Sequence, residues 1–337
     1  MFSNITVSCA PHISKRLSTR TVMIDVIIGL VPAMIAAGYY FRIHAAVLIS
    51  TCVISAVVTE WLCNVIRKKP NSLGDFSAVI TGIILALSVP PALPVWAAVI
   101  GSAFAIAVGK MVFGGLGANI FNPAMVGRAF LTASFGMLMT TWTVPATINR
   151  LMPVISLENK IDARTQATPL AWSKQSIKTG RRAEGVDAQL EAMFKGEVGG
   201  CLGETSALAL LVGGAYLLIR RTINIHIPLA VTSSAGIFAC IMYLFNCDAY
   251  ISPLSHLCSG GLLIGAFFIA TDPVTAPLTT KGRLIFGIGV GVVTMLIRVF
   301  GEYPEGVMYA ILLMNAVRPL IDKLCKPVPT GGKPNVQ

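Results

Sequence analysis

Gly82-Ile83-Ile84-Leu85-Ala86-Leu87-Ser88-Val89-Pro90-Pro91-Ala92-Leu93-Pro94 is an apolar run that stops on a proline-rich turn. Its partner lies far down the chain, at Gly265-Ala266-Phe267-Phe268-Ile269-Ala270-Thr271-Asp272-Pro273-Val274-Thr275-Ala276-Pro277. Glycine and both prolines return at a shift of 183 residues, with Thr271 in the place of Ser88. A helix needs about 20 apolar residues to cross a bilayer. The segments holding these runs, Phe76–Val89 and Ser255–Ala270, are shorter and end in proline, so they read as broken or tilted helices. Matched breaks in two halves of a chain mark the inverted repeat of many transporters, with a binding site where the broken helices meet.

Eight further segments surround this pair. Val22–Tyr40, Ala45–Ile66, Val95–Phe113 and Pro123–Met139 complete the first half; Gly203–Ile219, Ile227–Phe245, Leu284–Phe300 and Val307–Leu324 complete the second. The expectation is an all-α integral membrane protein of about ten transmembrane helices. Five helices per half is an odd number, which turns one half upside down relative to the other. Composition agrees: of 337 residues, 55% are hydrophobic and 12% charged, where a soluble domain carries about 25% charged residues.

Net charge is +11, but the basic residues sit at the ends of apolar segments, which argues for topology and against nucleic acid. Lys15, Arg16, Arg20, Arg67–Lys69, Lys110, Arg220, Arg221, Lys281, Arg283 and Arg318 fall on one side of a ten-crossing chain. The opposite turns, Pro90–Pro94, Asn246–Tyr250 and Gly301–Gly306, hold no Lys or Arg. Both termini are therefore expected in the cytoplasm. The divisions are a cytoplasmic N-terminus 1–21, membrane repeat 22–139, an extracytoplasmic polar loop 140–202, membrane repeat 203–324 and a cytoplasmic tail 325–337. The polar N-terminus lacks a small-residue cleavage site, so the first apolar run reads as a retained helix. The eight cysteines show no C-x-x-C pair; most sit in apolar segments, where Cys packs as a small hydrophobe.

The loop contains Asp162-Ala163-Arg164-Thr165-Gln166-Ala167-Thr168-Pro169-Leu170. Thr168 followed by Pro169 predicts a helix start, with threonine as N-cap and proline in the first turn. The same end of a helix stabilises a phosphate ester on the hydroxyl, and Lys174 and Lys178 follow closely.

The stretch D-x-x-T-x-A-T is similar to the flavinylation motif of proteins that carry FMN through its phosphate on the final threonine, with Gln166 where glycine is usual. Motif and flanks resemble the family formed by the D subunit of Rnf ferredoxin–NAD oxidoreductases and the B subunit of sodium-pumping NADH–quinone reductases. Ser8-Cys9-Ala10-Pro11-His12, Gly114 through Phe130, Gly203-Glu204-Thr205-Ser206, Ala270-Thr271-Asp272-Pro273-Val274-Thr275 and Tyr303-Pro304-Glu305-Gly306 resemble further blocks in the same order. The short N-terminus favours the Rnf branch. The resemblance implies a urea-transporter-like fold in a bacterial inner membrane and a translocase role in electron transport coupled to Na⁺ or H⁺. It also implies covalent FMN on Thr168 within the motif Asp162, Thr165 and Ala167, and a second flavin, riboflavin, held non-covalently within the bundle. Implied partners are the other Rnf subunits (A, B, C, E and G) and the flavin-transferring enzyme, within the lipid bilayer. A subunit of this kind is inactive alone. With neither an iron–sulfur motif nor a dinucleotide fingerprint, it should not itself oxidise ferredoxin or NADH.

Seven ionisable residues fall near membrane depth: Asp25, Glu60, Lys110, Arg128, Glu204, Asp272 and Arg298. Such residues are costly in lipid and are functional candidates by default. Asp272, at the end of a broken helix, is the first candidate for an ion path. Asp75 is the second, with helix capping as its plainer role. The competing class is a passive channel for a small neutral solute, which the repeat permits but which leaves Thr168 without a role.

Overall fold

A computed structural model describes residues 18–70, 72–142, 168–179, 190–247 and 249–326. The described residues form helices and turns without a strand. In order they are α1 (Thr19–Phe41), α2 (Ile43–Ile66), α3 (Ser77–Leu87), α4 (Val95–Ile106), α5 (Pro123–Ser134), α6 (Gly136–Met139) and α7 (Pro169–Thr179). There follow α8 (Leu190–Lys195), α9 (Ala207–Ile219), α10 (His226–Phe245), α11 (Pro253–Cys258), α12 (Leu262–Ile264), α13 (Thr280–Phe300) and α14 (Val307–Leu324). Helices α1, α2, α10 and α13 are each long and apolar enough to cross a membrane. Their outward faces carry exposed Ile, Val, Leu and Trp side chains, which suits a lipid solvent and marks an integral membrane protein.

The two ends of α1 mark the two ends of the bundle. At its start Arg20 lies over the Phe76 ring at 5.2 Å; at its finish the Tyr40 hydroxyl donates to the Lys195 carbonyl at 2.8 Å. Helix α9 runs back along α1, because Arg220 at its end donates to Asp25 near the start of α1, at 3.3 Å. Glycine permits this contact: a Cβ on Gly213 would strike the Gly29 carbonyl. Lipid gives no hydrophobic drive for helices to associate, so close backbone approach through small residues supplies it instead. Gly287 plays the same part where α13 crosses α10, a Cβ there meeting Ala230 Cβ at 2.6 Å.

Helix α3 starts at the Arg20 end and stops part-way, where Gly203 donates to the Leu87 carbonyl at 2.7 Å and Leu202 to that of Val89 at 3.2 Å. Its eleven residues match the short helix expected. The eighth segment is interrupted: α11 ends at Cys258, and α12 continues as a π-helical turn over Gly265–Ile269. A second π turn, Ala107–Met111, extends α4. Such turns sit mostly at functional places. The fifth segment also breaks, at Phe135 between α5 and α6, so Pro123–Met139 is not one continuous span. Helix α14 carries Arg318, Asp322 and Lys323 in its last turns, which leaves it too charged to count with the four clear spans.

Candidate functional sites at the two ends of the bundle

At the Tyr40 end, Thr168 caps α7. Its Oγ1 accepts the Ala171 N–H at 3.1 Å and its carbonyl accepts that of Trp172 at 3.0 Å, as the Thr-Pro pair predicts. Helix α7 docks through Lys174, whose ammonium donates to the carbonyls of Ile297, Arg298 and Tyr303 at 3.1 to 3.3 Å. It thus covers the C-terminal end of α13, where a cation is favoured. Burial lowers its pKa, as does Lys178 nearby, while Glu302 acts the other way. Lys178 pairs with Glu302 at 3.6 Å. Of the two lysines that follow Thr168, Lys174 is committed to these carbonyls, while Lys178 stays at the surface in an exposed pair.

Thr168 is buried over a small cavity, about 30 Å³ in volume, lined also by Trp142, Gly200, Glu204, Ser259, Gly260 and Glu305. Two arginine–carboxylate pairs form its floor. Arg298 Nη2 lies 3.3 Å from Glu305 and also donates to the Ser259 carbonyl at 3.0 Å, while Nη1 donates to that of His256 at 2.6 Å. Glu305 further accepts the N–H groups of Gly261 (2.9 Å), Gly306 (3.1 Å) and Val307 (3.2 Å). This caps α14 and ties it to the α11–α12 break. The second pair is Arg128 Nη2 to Glu204 Oε1 at 3.3 Å, with the Cys201 thiol accepting from the same nitrogen at 3.5 Å.

At the Arg20 end, Lys110 and Glu60 form a fully buried pair at 2.7 Å. Lys110 also donates to the Ser77 hydroxyl at 2.6 Å, and Ser72 donates to Glu60 at 2.5 Å. The Ser77 hydroxyl donates to Asp75, which also accepts the Ser77 N–H at 2.8 Å. Asp75 therefore caps the entry to α3 and reaches Lys110 through one hydroxyl. A cavity of about 70 Å³ opens beside Lys110, lined by Thr81, Asn119, Asn122, Phe267, Thr271 and Asp272 among others. Asn122 caps α5 by accepting from Ala124 at 3.1 Å and Met125 at 3.4 Å. Asp272 accepts from Val274 N and Thr275 Oγ1 at 3.2 and 3.1 Å, so it closes the turn after α12.

Among the described residues no group of three or more His, Cys, Asp or Glu is placed to hold a metal ion. Of the flavinylation stretch, Asp162, Thr165 and Ala167 lie outside the described residues. The structure places Thr168 at one end of the bundle, with Asp75 and Asp272 at the other. Six of the seven ionisable residues near membrane depth prove to be charge-paired, with Asp272 held by local hydrogen bonds. Sequence reasoning passed over Glu305 and Ser259. Glu305 stands in a turn quoted above for its resemblance, and that block was the available signal.

Four helices long and apolar enough to cross a membrane, with buried lysine– and arginine–carboxylate pairs at both ends of the bundle, define an integral membrane protein. The chain belongs to the NQR2, RnfD, RnfE family, whose sequence profile matches residues 6–331. It is 44% identical to the D subunit of the Na(+)-translocating ferredoxin:NAD(+) oxidoreductase complex of Acetobacterium woodii, over 96% of this chain and 94% of that protein. It is 43% identical to the proton-translocating counterpart of Clostridium ljungdahlii, over 97% and 96% respectively. The D subunit of the ion-translocating oxidoreductase complex of Cronobacter sakazakii is 38% identical, over 95% and 97%.

Proposed function

We propose that this chain is the flavin-carrying membrane subunit of an Rnf-type complex that couples ferredoxin–NAD electron transfer to Na⁺ or H⁺ transport. Support comes from family membership and from near full-length relatives named as the D subunits of such complexes. It works with the other subunits of the complex in a bacterial inner membrane, with both termini cytoplasmic and the 140–202 loop outside. The quinone-reductase branch is less favoured, because the relatives described above are named as ferredoxin:NAD or ion-translocating oxidoreductase subunits.

The observation that carries the flavin reading is Thr168 at the N-cap of α7. Its hydroxyl meets the positive end of a helix, where a phosphate diester is stabilised. The residues present at this helix end fit the phosphate of that group. Bound FMN would supply the electron-carrying chemistry; the chain positions it and sets its electrostatics. Lys174 fixes the helix that carries the threonine. The test is in-gel flavin fluorescence of the denatured subunit made with the flavin-transferring enzyme. Wild type should glow and Thr168→Ala should be dark. Equal darkness overturns covalent attachment, and retained fluorescence moves it to another residue, Thr165 first.

Riboflavin is assigned to the bundle by the resemblance, and the Lys110 cavity has suitable lining in two carboxamides and Phe267. The inverted repeat is supported by opposite starting ends for α3 and α12, by side-chain caps at Asn122 and Glu305, 183 residues apart, and by positive φ at Phe76 and Gly260. Asp272 and Asp75, both beside the half-helix α3 or the turn after α12, are the proposed ion-path carboxylates. A passive solute channel leaves the docking of α7 and the buried charges beneath Thr168 without purpose.

A further inference from the structure

Exposed cations at the two ends of the bundle have different surroundings. At the Tyr40 end Lys178 pairs with Glu302, and Lys195 with Glu191. At the Arg20 end Arg67, Lys68 and Lys69 are all exposed, and among the described residues no carboxylate pairs with any of the three. The run is nevertheless fixed in place. Lys68 and Lys69 close α2 by donating their N–H groups to the carbonyls of Val65 at 3.1 Å and Asn64 at 3.0 Å, with Lys68 in the left-handed conformation (φ 52°) that ends many helices. Arg67 donates from Nη1 to the Met111 carbonyl at 2.5 Å. That bond holds its guanidinium between the end of α2 and the π turn that ends α4. A guanidinium carries five N–H donors in a planar fork, so most of the fork is left for a ligand. Beside the cations the surface turns apolar: Trp61, Leu62, Val65 and Ile66 on α2, and Val112 and Phe113 just past the π turn, are exposed. Tryptophan is enriched at the level of lipid headgroups.

We propose that this corner of the molecule, Arg67–Lys69 with the exposed ends of α2 and α4, binds an anionic phospholipid of the surrounding leaflet. The phosphate takes the free part of the Arg67 fork, where planar donors match its oxygens. Lys68 and Lys69 add point charges, and the acyl chains lie along Trp61, Leu62, Val65 and Ile66. Orientation of the chain asks only for positive charge on this side of the membrane. It does not ask for a guanidinium bonded between two helix ends, without a counter-charge, at the edge of an apolar surface. An acidic protein docking from the aqueous phase would answer the cations and leave the apolar surface uncovered, whereas a phospholipid answers both. The site also touches the scaffold. Helix α2 carries Glu60 and the π turn carries Lys110, so a headgroup on Arg67 bridges the two elements that the sealed pair joins.

The test uses the intact complex in nanodiscs of phosphatidylethanolamine with a trace of phosphatidylglycerol bearing a photoreactive acyl chain. Labelling mapped by peptide mass spectrometry should fall on residues 61–66 and 112–113. Three basic residues near a membrane surface favour an anionic headgroup by about a hundredfold, so labelling there should drop to background in the triple variant Arg67→Gln, Lys68→Gln, Lys69→Gln. The double variant Lys68→Gln, Lys69→Gln keeps the bond to Met111. Should the triple variant fail to assemble, the double must by itself cut labelling about tenfold. Unlabelled phosphatidylglycerol should compete, while phosphatidylcholine and inorganic phosphate should not. Undiminished labelling in the variants, or equal labelling by a photoreactive phosphatidylcholine, reduces the contact to ordinary bilayer lipid and overturns the proposal. Competition by inorganic phosphate overturns it in favour of a free anion. Absence of labelling at both helix ends in the assembled complex shows that another subunit covers this face, and overturns it as well.

Discussion

The two ends of the bundle hold the same chemistry in opposite states of closure. At the Arg20 end, Lys110 and Glu60 are sealed from solvent, and hydroxyls of Ser72 and Ser77 complete their bonding. At the Tyr40 end both carboxylates line the cavity below Thr168: Arg298 and three backbone N–H groups hold Glu305, and Arg128 and Cys201 hold Glu204. A sealed pair locks helices together, whereas pairs that line a cavity stand open to a charge brought there. The difference separates residues that hold the scaffold from residues that can respond to a charge.

Breaking the sealed pair should have the largest effect. Lys110→Met leaves Glu60 buried without its counter-charge, at a cost of about 3–5 kcal/mol. In detergent the subunit should unfold at a much lower temperature, or fail to accumulate. Adding Glu60→Gln should recover most of the loss. A well-folded single variant would show that the pair is no clasp.

Undocking α7 comes next. Lys174→Met removes three charge-assisted bonds to the end of α13, worth about 1.5–3 kcal/mol. Proteolysis within 168–179 should accelerate while the rest of the bundle keeps its thermal transition. Thr168→Ala loses a helix cap, about 1 kcal/mol, and should abolish in-gel flavin fluorescence while barely moving the thermal transition. That split between stability and flavin content would separate a site residue from a scaffold residue. The smallest effect belongs to Lys178→Ala. Its pair with Glu302 is solvent-exposed, so unfolding should shift by about 0.5 kcal/mol or less.

Much of the fold was legible because lipid imposes simple rules. Apolar length foretold α1, α2, α10 and α13 within a few residues, and prolines at 90 and 273 marked the short helices. The break at Phe135 was not legible, nor was the place, Ser259–Gly261, where the eighth segment, read as broken or tilted, is interrupted. Neither contains proline, and the second is held by Glu305 and Arg298 from elements about forty residues away. At the site, Thr168-Pro169 announced its own cap because capping is local. The docking role of Lys174 was not legible for the opposite reason: the carbonyls at the end of α13 that hold it lie more than 120 residues along the chain.

By itself the sequence determined that this protein dissolves in a bilayer, which segments are apolar enough to enter it, where two of them stop short, and which threonine starts a helix. Those outcomes depend on runs of hydropathy and on contacts within one turn. Tertiary structure alone decided which charge meets which: Glu60 with Lys110, Glu305 with Arg298, and Glu204 with Arg128 beside Cys201. A charge in a membrane protein must find its partner wherever packing brings one, and linear spacing carries no record of that meeting.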